Sequence, residues 1–158
     1  MSTVDFVLLR TLSITLKPSS PIVSATKGDI WQIMHSEVVR VSKLLFDGGF
    51  YAEAVVDTFK EINIKVRTLY KTKSGQDKDG ANLMLSAFTI SNPILKFQSS
   101  STYSDNDVQE GYMHMFAGAM KGIRNPKSHE NEKIDKEDAL CKLAFASMLM
   151  YKFDTVIK

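Results

Sequence analysis

Residues 29–69 read DIWQIMHSEVVRVSKLLFDGGFYAEAVVDTFKEINIKVRTL, and apolar side chains recur in this segment every three or four positions. The stripe consists of Ile30, Met34, Val38, Val41 and Leu45, followed after a break by Ala52, Val55, Phe59, Ile62, Val66 and Leu69. This spacing predicts two helices that each bury one face. Asp29 is placed to cap the first helix, and Asp47-Gly48-Gly49 ends it because glycine accepts a left-handed backbone. The short connection predicts an antiparallel helical hairpin.

The segments that follow complete a helical bundle. The predicted order is a loop over 71–80, a short helix over 81–88, a break at Pro93, an extended segment over 94–97, a serine-rich loop over 98–106, a helix over 106–121 and a last helix from near Asp135. The predicted buried faces are Val108, Tyr112, Met115 and Ala119 on the fourth helix, and Ala139, Leu143, Ala146, Met150 and Phe153 on the last. We therefore expect an all-α fold, a bundle of about five helices over residues 29–158.

The first 28 residues have a different pattern. Leu12, Ile14 and Leu16 alternate with polar residues, which is the period of a strand, and Pro18 and Pro21 follow. The predicted organisation is an N-terminal extension over residues 1–28, with a short strand and a linker, and a helical domain over residues 29–158.

Length and composition limit the class of protein. The chain has 158 residues, close to one domain, with 44% apolar and 24% charged residues, as in soluble globular proteins. No apolar run is long enough for a bilayer, and no secretory signal is recognisable, so we expect a cytoplasmic protein without a membrane partner. The single cysteine, Cys141, fits a reducing compartment and is expected to pack among apolar neighbours.

The sequence gives little support for a function based on metal binding or on attraction of nucleic acid by net charge. Three histidines and one cysteine show no zinc-ligand spacing, so we expect no metal and no cofactor. The net charge is +2, from 20 basic and 18 acidic residues, which does not imply strong attraction to nucleic acid. If the protein binds nucleic acid, the positive charge that does so must be concentrated in one part of its surface.

The segment with the clearest chemistry is 111–130, GYMHMFAGAMKGIRNPKSHE. Pro126 disfavours helical geometry at the residue before it, so the helix should stop, kink or restart around 124–126. On a continuous helix, Arg124 and His129 would point about 140° apart. A break allows both side chains to face one place.

Those side chains suit a phosphodiester. An arginine grips two phosphate oxygens as a fork, and a histidine takes or gives a proton near neutral pH. Asn125 can hold a ribose or phosphate oxygen, and Lys121, Lys127 and Ser128 are the candidate RNA contacts. RNA supplies its own nucleophile, the 2′-hydroxyl, so the chemistry needs no metal. The alternative is structural: an Arg-Asn-Pro turn also ends helices, and a histidine after it is commonly a surface residue.

The sequence resembles the HEPN superfamily (higher eukaryotes and prokaryotes nucleotide-binding domains), and within it the Ymh-type family of prokaryotic hypothetical proteins. The likeness covers about residues 29–155. The pieces that carry it are His35-Ser36-Glu37-Val38, Leu45-Phe46 with Gly49-Phe50-Tyr51, Asp79-Gly80-Ala81-Asn82-Leu83-Met84 with Ala87-Phe88, and Gly118-Ala119 through His129.

The resemblance implies a small helical bundle that dimerises and, in many members, a metal-independent endoribonuclease. Arg124 and His129 match the two fixed positions of the superfamily's motif, and Asn125 matches the polar residue that often follows the arginine. Two copies typically form one RNA cleft. Members act in phage defence and in toxin–antitoxin pairs, which implies an antitoxin or a defence-system protein as a partner. The alternative is a non-catalytic module that binds RNA or a nucleotide and acts through a partner protein.

A homodimer also follows from the chemistry of cleavage, which needs one group to accept a proton and another to donate one. Within one chain, His35 lies among structural residues, and His114 lies two turns before the loop, about 10 Å back along the helix axis. A two-fold axis would instead bring a second His129 and concentrate roughly six positive charges on one groove.

Overall fold

The computed structural model describes residues 29–97, 103–125 and 134–157. Within them lie a 3₁₀ turn (Ile30–Gln32), five α-helices and a π-turn (Met120–Arg124). The helices are α1 (Ser36–Asp47), α2 (Tyr51–Ser74), α3 (Gly80–Ala87), α4 (Tyr103–Ala119) and α5 (Lys136–Asp154). The predicted all-α fold is confirmed. The predicted strand and linker of residues 1–28 lie outside the described residues.

The predicted hairpin is present, but its first helix starts later than the sequence indicated. Asp29 caps the 3₁₀ turn, where its carboxylate accepts the Trp31 N–H at 3.2 Å. α1 begins only after His35, whose side chain caps it. Apolar spacing alone cannot separate a single 3₁₀ turn from the first turn of an α-helix. Gly49 has a φ of +81°, the left-handed conformation expected between the two helices.

Two other boundaries also differ, because a polar helical turn resembles a loop in sequence. α2 continues through 71–74, which were predicted as loop, and ends at Gly75 with a φ of +70°. Lys71 and Lys73 favour that last turn because their charges complement the helix C-terminus. At the other boundary, residues 103–106 were assigned to the serine-rich loop but belong to α4.

α2 forms the centre of the bundle. It packs against α1, α3, α5 and the π-turn. Its fully buried apolar side chains are Ala54, Val55, Phe59, Ile62 and Val66. From α5, the predicted residues Ala139, Leu143, Ala146 and Met150 are buried, and Phe153 is partly buried. The core therefore fixes the position of every side chain that α2 directs toward its neighbours.

The buried face of α4 agrees with the prediction at Ala119 and differs from it at the other three predicted positions. The buried residues are Gln109, Met113, Phe116, Ala117, Ala119 and Met120, whereas Val108, Tyr112 and Met115 are only partly buried. The prediction gave preference to apolar residues and overlooked a buried glutamine. The expectation for Cys141 was also wrong, because its side chain is exposed.

Gln109 holds the segment between α3 and α4 against the bundle. Its side-chain Nε2 donates to the carbonyl oxygens of Phe88 and Leu95, at 3.0 Å each. Its Oε1 accepts the Phe97 N–H at 3.1 Å. One side chain thus satisfies three buried backbone groups that lack a helical partner.

The same segment is closed by aromatic contacts. The Phe97 ring stacks on Phe88 with centroids 4.8 Å apart, and Phe88 stacks on Phe116 at 5.0 Å. Phe97 also forms an isolated antiparallel bridge with Val156, so the extended segment predicted over 94–97 reduces to this single pairing. In the described part of the chain, no helix is both long enough and apolar enough to cross a membrane.

Gln109→Leu should destabilise the fold although it adds apolar surface. The change leaves the Phe88 and Leu95 carbonyls and the Phe97 N–H without a partner, at about 1–3 kcal/mol per buried group. We expect a loss of at least about 2 kcal/mol in the free energy of unfolding, measured by urea denaturation. Asn106→Ala, at an exposed position of the same helix, is the control. Equal midpoints for the two variants would contradict this role.

Candidate functional site

The π-turn ends the α4 segment where the sequence predicted a break. α4 ends at Ala119, and the Asn125 N–H donates to the Met120 carbonyl oxygen at 3.1 Å. A bond over five residues widens the last turn by one residue. π-turns of this kind are frequent at functional sites, and this one directs Arg124 toward the start of α3.

Arg124 forms an ion pair with a residue that the sequence analysis did not select. Its Nη1 donates to Asp79 Oδ2 at 3.0 Å. The other carboxylate oxygen, Oδ1, accepts the Asn63 Nδ2–H at 2.6 Å, and Asn63 Oδ1 accepts the Gly80 N–H at 3.0 Å. Asn63 is only 3% exposed. The chain of contacts therefore runs from a buried amide on α2, through a carboxylate, to the guanidinium.

Gly80 is favoured by its backbone conformation. Its φ is +58°, which other residues adopt with strain, whereas a Cβ built there would make only an ordinary contact, 3.5 Å from Arg124 Nη1. Asp79 occupies the N-cap position of α3 but makes no capping bond with its side chain. Its carboxylate is used instead by Asn63 and Arg124.

These contacts also set the charge of Asp79. Partial burial raises the pKa of Asp79, but the hydrogen bonds from Asn63 and Arg124, the charge of Arg124 and the Gly80 N–H outweigh it. The pKa of Asp79 is therefore held below its usual value, and the carboxylate is ionised at neutral pH.

Arg124 lines an open groove of about 690 Å³ between α3 and the end of α4. The lining residues are Asp79, Gly80, Ala81, Asn82, Leu85, His114, Ala117, Gly118, Lys121, Arg124 and Asn125. Lys121 and Asn125 are exposed, and the side chain of Arg124 is 25% exposed. Among the described residues, the guanidinium has one hydrogen-bonded partner, through Nη1 alone. Its remaining N–H groups can therefore meet an anion in the groove.

Three of the predicted site residues, Lys121, Arg124 and Asn125, thus share one groove. The predicted residues Lys127, Ser128 and His129 lie outside the described residues. His114 was set aside in the sequence analysis because of its distance along the helix, yet it lines the same groove. Its ring Nε2 is 3.9 Å from Glu110 Oε1, and the side chain is 63% exposed.

Asp79 and Asn63 are the site residues that sequence reasoning missed. Asp79-Gly80-Ala81-Asn82 is part of the family resemblance, but Asp79 and Gly80 were predicted to end a loop, with the helix beginning at residue 81. An aspartate–glycine pair at a helix start is common, so nothing in that motif alone identified Arg124 as its partner. Asn63 lies among apolar residues of α2, and a polar residue on a buried stripe was the available signal.

His35 does not line the groove and has a structural role. It is 6% exposed, and its Nδ1 accepts the Glu37 N–H at 3.1 Å. The proton of the neutral ring is therefore on Nε2, which donates to Asp154 Oδ2 at 2.9 Å. This contact joins the start of α1 to the end of α5. No group of His, Cys, Asp and Glu side chains in the described ranges is arranged to hold a metal ion.

Comparison of the sequence with protein-family models gives a match over most of the chain. A family model described as "Protein of unknown function (Hypoth_ymh)" matches residues 32–153. No curated protein and no solved structure matches the chain. The matched range includes every described residue of the groove.

Asp77→Asn and Asp79→Asn should both lower stability in a pH-dependent way. The hydrogen bonds from Arg67 lower the pKa of Asp77 from 3.8 to about 2, and the pKa of Asp79 is lowered as well. Because ionisation is favoured in the folded state, each carboxylate stabilises the protein above its unfolded pKa and loses that effect as pH falls. The deficit of each variant in melting temperature should shrink as pH falls below about 5, and for Asp77 it should keep shrinking down to the folded-state pKa of about 2. A constant deficit would contradict the assignment.

Proposed function

We propose that this chain, which belongs to the Hypoth_ymh family of proteins of unknown function, is a metal-independent endoribonuclease. The observation that carries the proposal is the placement of Arg124. Among the described residues, its guanidinium forms a hydrogen bond through one nitrogen only, and it lies in a groove that also contains Lys121 and Asn125. Such an arrangement suits the phosphate of a nucleic-acid backbone.

In the proposed reaction, the 2′-hydroxyl of RNA attacks the adjacent phosphorus. His129 accepts the hydroxyl proton, and the 5′-oxygen of the next nucleotide leaves after receiving a proton. Arg124 stabilises the negative charge that develops on the phosphate oxygens, and Asn125 positions the substrate. The products are a 2′,3′-cyclic phosphate and a 5′-hydroxyl.

A second copy of the chain supplies the second proton carrier in this proposal. The support is the resemblance to HEPN domains, whose copies form a joint cleft, together with the need for both an acid and a base. A two-fold axis beside the groove would place two sets of Lys121, Arg124 and His129 around one RNA strand. His114 already lies in the groove of each copy as a further titratable group.

Arg124→Ala and His129→Ala should each reduce RNA cleavage by at least about 100-fold, in the range expected for loss of a proton carrier or of charge stabilisation. The assay uses the full chain, a labelled RNA and EDTA throughout, with mass spectrometry of the 3′ ends. Arg40→Ala is the matched control, because Arg40 pairs with Glu37 and Glu61 and does not line the groove. Cleavage that persists in His129→Ala would refute the proposed mechanism, and RNA binding without any cleavage by the wild type would favour the non-catalytic alternative.

Lys121→Ala should weaken binding to all RNA sequences alike. One lost phosphate contact should reduce the slope of log affinity against log salt by about 0.7 for a single strand. Fluorescence anisotropy over a salt series measures this slope. Lys60→Ala is the control, because Lys60 pairs with Asp57 on an exposed face of α2. An identical slope for both variants would exclude Lys121 from the RNA contact.

A further inference from the structure

Asp79 is held from two sides. Asn63, buried in the middle of α2, donates to the Asp79 carboxylate at 2.6 Å and accepts the N–H of the next residue, Gly80, at 3.0 Å. Both the side chain and the adjoining backbone are thus tied to the central helix of the core. Asn63 and Gly80 are buried, whereas the Asp79 side chain is 47% exposed, so the carboxylate is anchored from its buried side and faces the groove with the other.

The fixed carboxylate then limits where Arg124 can lie. An arginine side chain has many rotamers, and ordering it costs up to about 2 kcal/mol in conformational entropy. The bond from Nη1 to Asp79 at 3.0 Å orders the side chain before any ligand arrives. Within the described residues, Nη2 and Nε have no partner and stay available to a phosphate.

We propose that Asp79, anchored by Asn63, is a positioning residue that sets where the Arg124 guanidinium meets the RNA phosphate. This inference rests on the proposed function, and it deepens it by adding a residue that acts through Arg124 without touching the RNA. The advantage is preorganisation, because a group that is already oriented loses less entropy when the substrate binds.

Asp79 has a second effect with the opposite sign. Its negative charge lies beside the place proposed for a phosphate, and two like charges repel. If repulsion were the main effect, Asp79 would compete with RNA for Arg124, and its neutralisation would strengthen binding and cleavage. If positioning is the main effect, neutralisation weakens them. The direction of one substitution therefore decides between the two roles.

Asp79→Asn keeps the shape of the side chain and removes the charge that holds Arg124. We expect kcat/KM for RNA cleavage to fall by up to about 100-fold, since a small displacement of a substrate-positioning group has an effect of that size. Asp77→Asn is the matched control. Asp77 lies two positions away and holds Arg67 by bonds of 2.5 and 2.8 Å, but it does not line the groove. It should lose a comparable ion pair and keep the wild-type kcat/KM.

A double-mutant cycle distinguishes positioning from a purely structural role. In an Arg124→Lys background, Asp79→Asn should cause little further loss, because the forked side chain that it orients is gone. An equal loss in both backgrounds, or stronger cleavage and binding in Asp79→Asn, would overturn the inference. The variants Asp79→Asn and Asp77→Asn should lower the melting temperature by similar amounts, because each removes the charge of one exposed carboxylate that forms an ion pair.

The RNA dissociation constant, measured in the same cycle, separates this inference from the proposed activity. If the wild type binds RNA but does not cleave it, the endoribonuclease proposal fails, and the positioning role is decided by whether Asp79→Asn weakens binding only when Arg124 is present. If the wild type neither binds nor cleaves RNA, both proposals are overturned.

Discussion

The wide turn between Met120 and Arg124 is the constraint on which the groove depends. Met120 is fully buried, whereas the side chain of Arg124, four positions further along, is 25% exposed and bonded to Asp79 at the start of α3. The bond from the Asn125 N–H to the Met120 carbonyl oxygen adds one residue to this turn and changes the direction of the side chains that follow, relative to an α-helix. The wide turn thus has Met120 in the core at its start and Arg124 beside α3 at its end.

The core also determines what Arg124 meets there. Asn63 is a polar residue on the buried side of α2, and both ends of its amide are satisfied by the start of α3. No side-chain nitrogen or oxygen atom that is buried in the described part of the chain lacks a hydrogen bond. The packing of α2 therefore fixes Asp79, and Asp79 fixes Arg124. A change that loosens α2 would reach the groove without altering any residue that lines it.

The sequence was sufficient for features that depend on apolar spacing and on turn residues. It predicted the hairpin, the left-handed Gly49, the face of α5 and the break after Arg124. The prediction from sequence was wrong where a polar residue occupies a buried helix position. Gln109 was not expected on the buried face of α4, and Asn63 was not recognised as a site residue. Spacing records which positions are apolar, but it does not record which buried polar groups are paired across the fold. The Arg124–Asp79 contact, 45 positions apart in sequence, belongs to that second kind of information.

The modest net charge of the protein bears on the role proposed for the contact between Arg124 and Asp79. With a net charge of +2, the whole molecule attracts a polyanion only weakly, and in the described groove two cations, Lys121 and Arg124, are opposed by Asp79. The ion pair between Arg124 and Asp79 further reduces the positive potential of the groove. A site that binds RNA mainly by electrostatic attraction would not be expected to contain such a carboxylate. An ion pair with Asp79 is expected in a site that depends on the position of one guanidinium. The Asp79 carboxylate weakens the local positive potential, but it also holds the Arg124 guanidinium in place. In the proposed dimer, the second copy restores the field while each arginine keeps its orientation.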